Sequence, residues 1–146
     1  MRYALIYGAI GGAITIAIIT ATFAFDVPNH FQTMWFGYLV MLAAMSLIFV
    51  GVKRYRDVEC GGVTSFGRAF KVGLGIAVVA ALVYVAGWEA YLATKPPVVA
   101  EYIEMYPNPL TRMPITFLEI FPVGLLVALV SAVLLRNPRF LPARVG

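Results

Sequence analysis

Four long apolar runs, each nearly free of charge, alternate with short polar segments along the chain: residues 3–25, 31–52, 72–94 and 115–135. A helix rises about 1.5 Å per residue, so about 20 residues cross a hydrocarbon core of about 30 Å. Each run reaches that length and predicts a transmembrane helix. The first two contain no Asp, Glu, Lys or Arg; the third carries only Glu89 and the fourth only Glu119. Met1-Arg2 ahead of the first run could open a signal peptide. The run is long for such a segment and lacks a clear small-residue cleavage site, so a retained helix is expected.

The polar segments refine this pattern. Residues 26–30, with Pro28 and His30, predict a turn, because Pro28 biases Val27 away from helix. Trp35, Phe36 and Tyr38 crowd the start of the second run, as in an interfacial aromatic belt. In residues 53–71, Gly61-Gly62 is a flexible break, and Thr64 or Ser65 can cap the helix that leads into the third run. Phe66 and Phe70 share one face, away from Arg68 and Lys71, which predicts an amphipathic lead-in at the membrane surface. Lys95-Pro96-Pro97 ends the third helix. A short helix over residues 98–105 is expected in the loop that follows, and the fourth span is expected to start after Pro114. The fold class predicted is all-α: an integral membrane four-helix bundle forming a single transmembrane domain over residues 1–146.

Composition agrees with the pattern. Of 146 residues, 62% are hydrophobic and 12% charged, and the mean hydropathy is +0.88. A soluble domain of this size has too few polar residues to cover that much apolar surface, whereas lipid removes the problem. The net charge of +4 points to topology rather than to nucleic acid. Nine basic residues (Arg2, Lys53, Arg54, Arg56, Arg68, Lys71, Arg136, Arg139, Arg144) fall on one side of the predicted membrane, and only Lys95 and Arg112 on the other. That bias places both termini and the central loop in the cytoplasm. Cys60 is the single cysteine, which excludes an internal disulfide.

Residues 51–57 (Gly-Val-Lys-Arg-Tyr-Arg-Asp), 62–73 (Gly-Val-Thr-Ser-Phe-Gly-Arg-Ala-Phe-Lys-Val-Gly) and 119–124 (Glu-Ile-Phe-Pro-Val-Gly) carry a resemblance. In these segments, and in the order of its four apolar runs, the chain resembles bacterial domain-of-unknown-function family 4199. The resemblance implies a small bacterial inner-membrane protein with four spans. It implies no activity, substrate or cofactor.

Candidate chemistry is sparse. A charge at mid-span costs roughly 2.5–3.5 kcal/mol on insertion scales, so Glu119 is the most informative residue. Pro122 removes a backbone donor three residues later and frees the carbonyl of Leu118. Glu89 approaches a similar depth from the third span, which suggests one outward-facing polar pocket of Glu89 and Glu119 with Arg112, Lys95 or the loop tyrosines as partners. Such a pocket could couple to protons or cations. A structural ion pair or interfacial snorkelling is the commoner outcome for such residues. One histidine, His30, is a thin basis for a metal site, and none is expected. Lys53, Arg54, Arg56, Arg68 and Lys71 could contact anionic lipid headgroups, at about 1 kcal/mol per basic residue near such a surface. Cys60 has no cytoplasmic histidine to activate it as a nucleophile.

Small residues recur every fourth position at Ala4-Gly8-Gly12, at Ala9-Ala13-Ala17-Ala21 and at Gly73-Ala77-Ala81. Such faces let helices approach closely, either within one chain or between two. The function expected is therefore a structural or accessory inner-membrane protein, oligomeric or part of a larger complex. The alternative is a minimal transporter or channel using the Glu89/Glu119 pocket. No complete catalytic set, cofactor motif or nucleic-acid-binding motif is present, and an enzyme is the weakest reading.

Overall fold

The computed structural model describes residues 2–24, 34–95 and 97–143, and these form an all-helical bundle. Four helices are long and apolar enough to cross a membrane. They are α1 (Arg2–Ala24), α2 (Met34–Glu59), α3 (Phe66–Ala93) and α5 (Pro109–Leu135). A 3₁₀ turn at Pro97–Val99 and the short α4 (Ala100–Met105) lie between α3 and α5. The turn expected at residues 26–30, including His30, lies outside the described residues.

Local chemistry sets the helix ends. Beyond α2 the chain enters left-handed backbone at Gly61 (φ 65°) and Gly62 (φ 91°), a region open to glycine at little steric cost. The Gly62 amide then donates to the Arg56 carbonyl at 2.9 Å and closes the helix. Ser65 caps α3, its hydroxyl accepting from the Arg68 amide at 3.4 Å. The amphipathic lead-in is therefore no separate surface element: Phe66 and Phe70, stacked 5.8 Å apart, belong to the first turns of α3 itself. Asn108 caps α5 by accepting from the Leu110 amide at 3.0 Å, with Pro109 as the first helical residue.

Besides α3, two helices overrun their apolar stretches. α2 continues through Lys53, Arg54 and Arg56 to Glu59. α5 starts six residues before the expected boundary and carries both Pro114 and Pro122 inside it. A first-position proline costs no hydrogen bond, and interior prolines are tolerated in transmembrane helices where neighbours re-satisfy the backbone.

The packing is a closed four-membered ring. α1 packs on α2 and α3, α5 packs on α2 and α3, and α2 meets α3 across the middle. Glycines bring the backbones together. A Cβ built on Gly8 would stand 2.6 Å from Val79 Cβ, and one on Gly12 would stand 2.5 Å from the Ala80 carbonyl. At the α3–α5 seam, a Cβ on Gly73 would meet Ala128 Cβ at 3.0 Å, and one on Gly124 would meet Ala77 Cβ at 2.9 Å. The Ala4-Gly8-Gly12 and Gly73-Ala77-Ala81 faces are thus consumed inside one chain. Ala9, Ala13 and Ala17 instead lie exposed on the outside of α1.

The interior is apolar. Met45, Ile48, Val52, Ile76, Ile120 and Leu135 are all almost fully buried. The small hydroxyls among them bond to their own helices: Thr15 donates to the Gly11 carbonyl at 2.8 Å, Thr116 to Arg112 at 3.1 Å and Ser131 to Val127 at 2.6 Å. Among the described residues no buried side-chain polar atom lacks a partner.

Candidate functional site

Charge gathers at the two ends of this apolar ring, and at each end an arginine goes inside. At the end formed by the α3 C-terminus and the α5 N-terminus, Arg112 and Glu89 make a two-pronged pair. Arg112 Nε donates to Glu89 Oε1 at 2.9 Å, and Nη2 to Oε2 at 2.6 Å. The side chains are only 7% and 12% exposed. The third donor, Nη1, reaches the Tyr106 carbonyl at 2.9 Å and so ties the loop to α5. The planar guanidinium matches a carboxylate with two parallel bonds, which fixes both distance and orientation. Trp88, Tyr91, Tyr102 and Tyr106 form a chain of ring contacts beside the pair, with centroids 5.4–6.1 Å apart.

The expected four-residue pocket does not assemble. Arg112 is Glu89's partner, and both Glu89 oxygens are occupied by it. Lys95 is exposed, in left-handed backbone (φ 51°), and its side chain makes no hydrogen bond or ion pair among the described residues. Glu119 stands seven residues beyond Arg112 on α5, about 10 Å further along the helix. Its side chain is exposed, in an outward row with Ile115, Pro122 and Leu126. It too makes no hydrogen bond or ion pair among the described residues.

At the opposite end Arg56 is 0% exposed. It donates through Nη1 to the Phe140 carbonyl at 2.9 Å and to Leu135 at 3.5 Å, through Nη2 to the Leu141 carbonyl, and through Nε to Asp57 Oδ1 at 2.8 Å. Arg56 is therefore not at the headgroup surface proposed for it. It pins the end of α5 and the segment after it to the end of α2, because the last carbonyl of α5 and those beyond it have no helical donor. Lys53 binds the other oxygen of Asp57 one turn later. Arg54, Arg68 and Lys71 remain exposed. Arg2 and Tyr3 both reach Glu59, at 3.2 Å and 3.1 Å, in an exposed contact that contributes little. Among the described residues no group of three or more His, Cys, Asp and Glu could hold a metal ion.

Four apolar helices around an interior whose buried polar side chains are all bonded, with ionic groups among the described residues confined to the ends and to one outward glutamate, define a small multi-pass membrane protein in contact with the lipid bilayer. The chain belongs to the family described as Protein of unknown function (DUF4199), whose model matches residues 3–108. The match covers α1 to the loop before α5 and stops short of residues 119–124, so α5 with Arg112 and Glu119 lies outside it. No curated protein and no solved structure matches the chain.

Proposed function

We propose that the chain is a small accessory membrane protein that works inside an assembly, as an oligomer or as a subunit of a larger membrane complex. One observation carries this reading. Glu119 lies exposed on the outside of the bundle within a span, in electrostatic reach of the Tyr84 phenol, and its side chain makes no ion pair or hydrogen bond among the described residues. Ionisable groups within spans almost always face a bundle interior or a cavity and pair there. A second protein surface on this face would give the carboxyl group such an interior. The excess of basic residues at the Arg2, Lys53 and Arg136 end supports cytoplasmic termini in a bacterial inner membrane.

The transport alternative draws less support. Glu89 is held by Arg112, the hydroxyls of the core bond to their own helices, and no chain of ionisable groups links the two ends among the described residues.

Extracted into nanodiscs with its native lipids, the tagged chain is expected in particles holding more than one protein chain. Glu119→Leu is expected to leave helicity and thermal stability unchanged and to reduce that assembly about tenfold. A wild-type chain alone in each particle would overturn the reading. A proton or cation flux in proteoliposomes that Glu119→Gln abolishes would establish the transporter instead.

A further inference from the structure

A groove of about 760 Å³ opens at the Arg56 end of the bundle. One wall is the outer face of α2, with Val50, Lys53, Arg54 and Val58 at helical spacing. Tyr7 of α1 stands on one side, and Leu141 to Ala143, the tail that Arg56 pins, form the other.

Its charge is unbalanced in one direction. Asp57 lines the groove, but its carboxylate is already bonded by both Lys53 and Arg56. Arg54 is exposed and its side chain makes no hydrogen bond or ion pair among the described residues. A guanidinium is thus left to meet an anion from outside, with the Lys53 ammonium close by. Around it are apolar groups left open: Val58 is 60%, Leu141 48% and Val50 47% exposed. A site with cations on one part and aliphatic side chains on the other fits an amphiphile with an anionic head. It lies where the apolar stretch of α2 gives way to its basic end.

We propose that this groove binds one anionic phospholipid, its phosphate on Arg54 and Lys53, its acyl chain running back along Val50, and its glycerol region against Val58 and Leu141. Of the five cations expected to meet headgroups, these two would make a defined site. Arg68 and Lys71 lie on α3 and do not line the groove. The pinned tail supplies a wall, so the site exists only while Arg56 holds residues 140–141.

The test uses the purified full chain in detergent, titrated with phosphatidylglycerol or phosphatidylcholine and read by native mass spectrometry. One phosphatidylglycerol per chain is expected, retained at least tenfold better than phosphatidylcholine. Removing a headgroup cation should weaken binding about fivefold. Arg54→Gln, which breaks no side-chain bond among the described residues, is expected to show that loss; Arg68→Gln/Lys71→Gln is expected to stay within twofold of wild type. Leu141→Ser should weaken the lipid while its carbonyl still serves Arg56. Equal losses from Arg54→Gln and Arg68→Gln/Lys71→Gln would overturn the proposal in favour of diffuse surface attraction. Displacement of the lipid by millimolar inorganic phosphate, with Leu141→Ser silent, would show a phosphate site without a lipid.

Discussion

Arg112→Ala is expected to destabilise the bundle by about 3–5 kcal/mol, the range seen when one member of a buried pair is removed. Glu89 would keep its place, almost wholly enclosed, with neither oxygen bonded. The Tyr106 carbonyl would lose its donor as well, so the loop carrying α4 should loosen from the start of α5. Removing both charges together is a different experiment. In Glu89→Gln/Arg112→Met no charge is stranded, and replacing a buried pair with neutral groups of similar volume is often neutral. The double variant should therefore recover most of the stability lost by Arg112→Ala. Unfolding in mixed micelles, followed by circular dichroism, measures both. A single variant as stable as wild type would mean that water reaches Glu89.

Arg56→Ala should act on the other end and on a different element. The last carbonyl of α5 and two carbonyls of the tail lose a common donor, and each group left buried without a partner costs about 1–3 kcal/mol. The tail has an alternative, since it can peel off and bond to water, so the loss of stability is expected near the bottom of that sum, at about 2–4 kcal/mol. The clearer sign is exposure. Trypsin cleavage after Arg136 and Arg139 should accelerate at least tenfold in Arg56→Ala and not in Arg54→Ala. Arg56→Lys should rescue only in part, because an ammonium is a compact donor and cannot span carbonyls that a planar fork reaches together. Unchanged proteolysis in Arg56→Ala would show that the tail is held by its side chains, such as Phe140 against Phe49 (6.4 Å between centroids).

The span count was legible in the sequence because it depends on one robust quantity, the length of uncharged apolar runs. Helix ends were not legible in the same way. The expected end of the second span at residue 52 followed the loss of hydrophobicity, but backbone hydrogen bonding continues past it to Glu59, where Gly61 and Gly62 permit the reversal. At α5, Pro114 read as the boundary after which the span starts. Asn108-Pro109 was the available signal, an N-cap residue followed by a first-position proline.

The site was partly legible. Glu89 stood out as a lone charge in an apolar run, with Arg112 among its possible partners, and the structure selects Arg112 over Lys95 through the antiparallel packing of α3 and α5. Arg56 was not legible. Along the chain it is one of several cations in a basic stretch, and its burial depends on carbonyls 79 to 85 residues away. Glu119 was recognised as costly, but whether it faced inward depended on its rotation about α5, which Arg112, Thr116 and Ile120 set by taking the inner face.

That outward rotation underlies the functional account, and photo-crosslinking in native membranes tests it most directly. A benzophenone side chain at Leu118, 65% exposed beside Glu119, would be compared with one at Leu82, 56% exposed on α3. The account predicts a crosslink from position 118 to another protein chain, and crosslinks from position 82 to lipid. Lipid adducts alone from both positions would contradict it.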